Sequence, residues 1–203
     1  ESNSVQPISF DFITVYPGQF NFGDDDDTEF VNDQFQLMST EVTNLQYRSY
    51  LSVAKELNQI DTTNLGPWVK DNEGNILYNL DSGYVKWNEN ESEFYIDGLT
   101  SPHIPYFPVT HVSWFGATHF AEFFNFRLPT EIEWAKAAGD DGLFDYPWGS
   151  EYDENDNPIN EINSSYANYG NNEDIDGIPE PYEPGLAPAY NWSPDGQIVD
   201  PLW

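Results

Sequence analysis

No cysteine occurs anywhere in the 203 residues. A disulfide framework, a thiolate zinc site and a thiol nucleophile are therefore excluded for this chain. Positive charge is nearly as scarce. Six Lys+Arg stand against 36 Asp+Glu, a formal net charge of −30 with a sequence pI of about 4.1. Such a surface repels phosphate backbones, which excludes nucleic acid as a partner, and anionic lipid headgroups are disfavoured for the same reason. No apolar run approaches the roughly 18 residues of a membrane span. No secretory leader is recognisable, and an opening at Glu1 rather than Met is expected of a processed or trimmed chain.

Aromatic residues are abundant. Seven Trp, thirteen Tyr and fourteen Phe can build a core in which each ring buries a large area. Fifteen Pro, fourteen Gly and a mean hydropathy of −0.62 predict that loops outweigh regular structure. The length suits one domain. The excess of acid has three readings: a solvated, salt-adapted surface, carboxylates that bind calcium, or attraction of a basic partner.

Residues 1–11 read as a polar arm and 12–203 as a single domain, with a variable insertion at about 60–107. Residues 12–22 carry β-branched and aromatic residues around Pro17-Gly18 and read as a β-hairpin. Gly23 and the four aspartates Asp24 to Asp27 must be loop, because adjacent carboxylates repel. Phe30 to Leu37 reads as the next strand. Thr43 and Gln46 form a capping box with Val42 and Tyr47 placed for a hydrophobic staple. Leu45, Tyr47, Leu51, Ala54 and Leu57 then give one apolar helical face ending near Asn58. Turn signals at Asn72 to Asn75 and Asp81 to Gly83 separate short aromatic runs that read as hairpins. A second helix follows Ser113, with Trp114, Ala117, Phe120, Ala121 and Phe124 on one side. A third starts at the capping box of Thr130 and Glu133, with Trp134, Ala137 and Ala138 facing the core and Gly139 as its stop.

Chemistry is harder to place. His103, His111 and His119 recur every eight residues, and His119 with Glu122 one turn later could join a metal site, although a histidine serving the core or the surface is the commoner arrangement. Carboxylate pairs cannot be diagnosed by spacing among 36 acids. No nucleophile elbow, phosphate loop or dinucleotide fingerprint occurs.

Five motifs, in order, carry a family resemblance. They are Pro17-Gly18-Gln19-Phe20-Asn21-Phe22-Gly23, Glu41-Val42-Thr43-Asn44-Leu45-Gln46-Tyr47, the run from Pro108-Val109 to Val112-Ser113-Trp114, then Arg127-Leu128-Pro129-Thr130-Glu131-Ile132-Glu133-Trp134, and Tyr146-Pro147-Trp148-Gly149. Together they closely resemble the formylglycine-generating-enzyme, or sulfatase-modifying-factor, family, with Phe22 standing where the family has Met. The resemblance implies an α+β fold, a variant of the C-type lectin fold with few helices, short antiparallel sheets and long loops. Arg127, one of six cations among 36 acids, is expected to anchor a buried carboxylate or carbonyls.

Catalytic members of that family oxidise a substrate cysteine with two copper-binding cysteines near the C-terminus, beyond a GN-x-WEW and an RGGSW segment. Neither segment occurs in this sequence, so the catalytic region is expected to be missing, and no catalytic or cofactor-binding residue is assigned. One metal site does carry over. Tyr166-Ala167-Asn168-Tyr169 and Asp174-Ile175-Asp176-Gly177-Ile178 resemble the family's structural calcium site. Its ligands here would be the side chains of Asn168 and Asp176 and the carbonyls of Tyr169 and Ile178, although Ile175 splits the acidic pair and residues 179–181 lengthen the loop. Copper is expected only with a cysteine-containing C-terminal part. The expected function is an extracytoplasmic, non-catalytic, calcium-stabilised binding or structural module. A protein or carbohydrate could be its ligand, contacted by aromatics such as Trp68, Trp87 and Tyr95, although packing is the commoner role for such rings. The alternative is a formylglycine-generating oxidase, or a related non-haem iron enzyme, with its catalytic third lying elsewhere.

Overall fold

A computed structural model describes residues 8–22, 27–63, 65–97 and 102–138, together with the backbone of two short strands at 151–152 and 158–159. The elements are β1 (Phe12–Val15), β2 (Gly18–Phe22), β3 (Asp27–Val31), β4 (Phe35–Met38), α1 (Asn44–Glu56), β5 (Ile60–Asp61), β6 (Trp68–Asp71), β7 (Ile76–Asn79), β8 (Val85–Asn88), β9 (Glu93–Ile96), a 3-10 turn (Ile104–Tyr106), α2 (Trp114–Phe123), α3 (Glu131–Ala137), β10 (Glu151–Tyr152) and β11 (Pro158–Ile159). Among the described residues every strand pairing is antiparallel. The sheets are β1–β4, β2–β3, β5–β6–β7, β8–β9 and β10–β11. This is an α+β architecture of few helices and short sheets.

The expected hairpin at 12–22 is not formed. β1 pairs with β4, and β2 pairs with β3, so the two halves of that stretch belong to separate two-stranded sheets. Pro17 lacks the N–H that a ladder needs, and it separates the two sheets rather than forming a hairpin turn. The expected strand from Phe30 to Leu37 is likewise split into β3 and β4 at 32–34.

Both capping boxes are present. Thr43 Oγ1 accepts from Gln46 N at 3.2 Å while Gln46 Oε1 accepts from Thr43 N at 2.8 Å, and Thr130 and Glu133 repeat the arrangement. Ser113 caps α2 through Gly116 N. α1 and α2 also stop by a shared device. Asn58 (φ 55°) and Asn125 (φ 61°) follow the two helices in the left-handed region. Asn58 N donates to Lys55 O and Gln59 N to Ala54 O; Asn125 N donates to Glu122 O and Phe126 N to Ala121 O. These paired bonds define a Schellman ending at each helix.

The core gathers around α1. Tyr47, Tyr50, Leu51 and Ala54 are fully buried, against Val69, Leu77, Tyr78 and Val85 of the middle strands and Phe120 of α2. Tyr50 takes a place that the sequence reading gave to Leu45 and Leu57; Leu45 is half-buried and Leu57 is exposed. The stretch 60–107 is thus part of the core. It supplies Val69, Leu77, Tyr78, Val85 and Phe94 to the largest fully buried side chains. α2 reaches this core because its first turn carries a glycine: a Cβ on Gly116 would lie 2.0 Å from Leu77 O.

Two expectations about helix faces fail. Trp114 is 60% exposed, because it occupies the first turn of α2, and Ala117, Phe120 and Ala121 carry the buried face. No residue of α3 is buried, and Trp134, Ala137 and Ala138 are only half-covered. Among the described elements this two-turn helix packs on the β2–β3 ribbon, which covers one side only.

Candidate functional site

Among the described residues a cleft of about 520 Å³ lies between the β1–β4 pair and the end of α2. Its floor is buried and apolar, with Leu37, Val42, Phe120 and Ala121. Phe12 and Phe126 form a rim, ring centroids 5.2 Å apart and edge to face. Phe126 gets there through the Schellman ending of α2, which turns the chain sharply at Asn125. Sites for small molecules and side chains fall in the range of about 300–1,000 Å³.

One end of the cleft is closed by an ion pair. The Arg127 guanidinium grips Glu133 in two-pronged fashion, Nη1 to Oε2 at 2.7 Å and Nη2 to Oε1 at 2.5 Å, and Nη1 also donates to Leu128 O at 3.1 Å. Thr130 N adds a third bond to the carboxylate at 2.8 Å. Arg127, helped by the Thr130 amide, holds the Glu133 carboxyl down at about 2 against the cost of its partial burial. Arg127 thus anchors a carboxylate and a carbonyl as expected, but the carboxylate is half-buried rather than buried.

Two polar features lie in the packed interior. The Tyr50 hydroxyl and His119 Nδ1 are 2.7 Å apart, and burial raises the phenol well above its ordinary value, with Asp71 adding to the effect. Glu41 Oε1 is sealed from solvent without a hydrogen-bond partner, and burial pushes this carboxyl up to about 8. Nothing in the spacing of the acids singles out Glu41 from the other 35. Its only signal is the place just ahead of Val42 and the first capping box.

The candidate metal ligands Asn168, Tyr169, Asp176 and Ile178 lie outside the described residues, as do Gly139 and Trp148. As a donor set, two side-chain oxygens and two carbonyls suit a hard cation such as calcium. A copper-binding thiolate pair does not fit this chain, which has no cysteine. His103 and His111 are exposed, while His119 is bonded to Tyr50. Among the described residues no three His, Asp or Glu side chains form a metal-binding group. Trp68 and Tyr95 are exposed, and Trp87 is half-buried beneath the Lys55 ammonium, 5.2 Å from its ring. The sequence reading did not find the cleft, because its walls come from strands, helix ends and a loop far apart in the chain.

The described motif residues thus act as caps, core rings and one ion pair in an α+β domain. Residues 2–183 match the sulfatase-modifying factor enzyme 1-like domain. The chain belongs to that family. It is similar to hercynine oxygenase of Mycobacterium tuberculosis, with 42% identity over 67 residues, 31% of this chain and 14% of that protein. It is also similar to the formylglycine-generating enzyme of Thermomonospora curvata, with 50% identity over 48 residues, 23% of this chain and 16% of that protein. These alignments span well under two thirds of either relative. No described helix is long and apolar enough to cross a membrane.

Proposed function

We propose that this chain is a non-catalytic binding or structural module of its family, with a lectin-type fold, working outside the cytoplasm and stabilised by calcium within a cell-surface, gliding or secretion-associated assembly. The absence of cysteine from all 203 residues carries this reading, since the oxidising chemistry the family resemblance implies depends on a thiolate pair. Supporting it, the motif side chains that name the family are spent on structure: Thr43, Ser113 and Thr130 on helix starts, Arg127 on Glu133. The oxygen donors Asn168, Asp176, Tyr169 and Ile178 would hold the calcium and tie two loop segments together.

The second reading is an enzyme of the family, a formylglycine-generating oxidase or a related non-haem iron enzyme with further catalytic residues outside this sequence. Both relatives above bear enzyme names. Two measurements test the first reading. Calcium at millimolar concentration should raise the melting temperature by several degrees over chelator, because a ligand of the folded state stabilises by mass action. Asp176→Ala should remove that increment; no increment in the parent chain would sink the calcium site. Incubation of the chain with copper(I), oxygen and a cysteine peptide should yield no aldehyde, and aldehyde formation would overturn the non-catalytic reading.

A further inference from the structure

We propose that the free edge of β4, together with the cleft beside it, is a groove that takes an extended basic peptide as an added strand. Ser39 N donates to Asp11 O at 2.9 Å, one step beyond the register Phe12↔Met38, Ile13↔Leu37, Thr14↔Gln36, Val15↔Phe35. Directly opposed residues in an antiparallel ladder alternate between pairs that exchange both main-chain bonds and pairs that exchange none. Asp11 and Ser39 are a bonded pair, so Ile13–Leu37 and Val15–Phe35 are bonded too. The N–H and C=O groups of Gln36 and Met38 therefore point away from β1. Among the described residues no other strand pairs with that edge.

The cleft lies along this edge. Phe35, Gln36, Leu37 and Met38 all line it. Successive side chains of a strand point to opposite faces, so four consecutive residues border one cavity only when it runs beside the strand. An incoming strand would find two donors and two acceptors, an apolar floor for one side chain at Val42, Phe120 and Ala121, and an aromatic rim at Phe126. This is the geometry of strand addition, in which main-chain bonds supply affinity and a pocket for alternate side chains supplies selectivity.

Charge selects the occupant. Arg127 and Glu133 cancel at the cleft, so the charge that acts on a ligand is the acidic excess of the chain as a whole, −30. That field draws cationic ligands and opposes a second copy of the chain. The occupant is thus a peptide of a partner protein, extended, with apolar side chains alternating with Lys or Arg. This deepens the binding-module reading but does not share its fate: a chain that oxidises thiols and still binds such a peptide would end that reading and leave this one standing.

The test uses the full chain and a fluorescein-labelled peptide, Lys-Val-Lys-Phe-Lys-Val-Lys, followed by anisotropy. Binding is expected with a dissociation constant of roughly 10–100 µM, weakening several-fold between about 0.05 and 0.5 M salt. N-methylation of one alternate set of peptide amides should cost at least about tenfold and of the other less than about twofold, since only one set faces β4. Gln36→Pro should likewise cost about tenfold without changing the melting temperature, because proline is tolerated on a strand edge where its missing N–H faces outward. In the unliganded chain the Gln36 and Met38 amides should exchange rapidly with deuterium. Absence of binding at about 1 mM, equal loss from the two methylation patterns, or full affinity in Gln36→Pro would overturn the proposal. Slow exchange at Gln36 and Met38 would also overturn it, by showing that this chain or a second copy already covers the edge. Salt-independent binding would overturn the basic character of the partner.

Discussion

Glu41 is a single carboxyl whose surroundings invert its usual behaviour. Burial raises it to about 8 in the fold, whereas an unfolded chain releases that proton near pH 4.3. Between those values the folded state holds a proton that the unfolded state has lost, so stability falls as pH rises from about 4.5 to 8. Glu41→Gln keeps the shape of the neutral acid. It should raise the melting temperature at pH 8 and leave it nearly unchanged at pH 4, as a calorimetric pH series would show. An equal effect at both pH values would mean the carboxyl is ionised in the fold. Glu133 works in the opposite sense. Its carboxyl is depressed to about 2, chiefly by Arg127, so its contribution is complete above about pH 4.3 and is lost as pH falls through 2. The Arg127 side chain is 64% exposed, which keeps the pair modest. Arg127→Lys, which loses the two-pronged grip, should cost no more than about 1 kcal/mol in denaturant unfolding.

Helix ends were unevenly legible. The starts were written plainly in the sequence, because a capping box is a local contact between residues three apart. Thr43→Ala should cost roughly 1 kcal/mol, read as a lower denaturant midpoint at unchanged slope. The stop of α1 was legible, near Asn58 where its apolar face ends, whereas that of α2 was not. Both Schellman endings of α1 and α2 use asparagine, Asn58 and Asn125, where glycine is the commoner sign. At Asn125, a change to Val should destabilise by about 1–2 kcal/mol and a change to Gly by only a few tenths, because a β-branched side chain resists positive φ. α3 carries a different lesson. Its apolar spacing predicted a buried Trp134, yet the ribbon it meets covers one side. Trp134→Ala should therefore cost about 1–2 kcal/mol, short of the roughly 3–5 kcal/mol of a fully buried ring. α2 is the converse case, a helix whose approach to Leu77 depends on Gly116. Gly116→Val should prevent native folding, seen as loss of the cooperative thermal transition.

Across the whole molecule five of the six cations are spent on backbone carbonyls. Arg48, Lys55, Lys86, Arg127 and Lys136 donate to the carbonyls of Phe94, Ser92, Leu80, Leu128 and Gln19. Among the described residues the one ion pair is Arg127 with Glu133. These side chains fasten loops to helices and leave the surface acids uncompensated. Raising sodium chloride from about 0.05 to 1 M should then raise the melting temperature by several degrees, as screening relieves self-repulsion. A flat salt response would show that the acids are spaced too widely to strain the fold.

By itself the sequence determined the family, the α+β class, the three helix starts and the exclusion of thiol chemistry. Each is either a property of composition or a contact between residues close along the chain. The tertiary structure alone decided which strands pair across the Pro17-Gly18 break, which rings are core, and where the cleft opens. Those outcomes depend on residues such as Phe12, Met38, Phe126 and Glu133 meeting in space. Side-chain periodicity offers each apolar residue a face, but a residue is buried only if another element arrives to cover that face. That is why Tyr50 lies in the core and Trp114 stands in solvent.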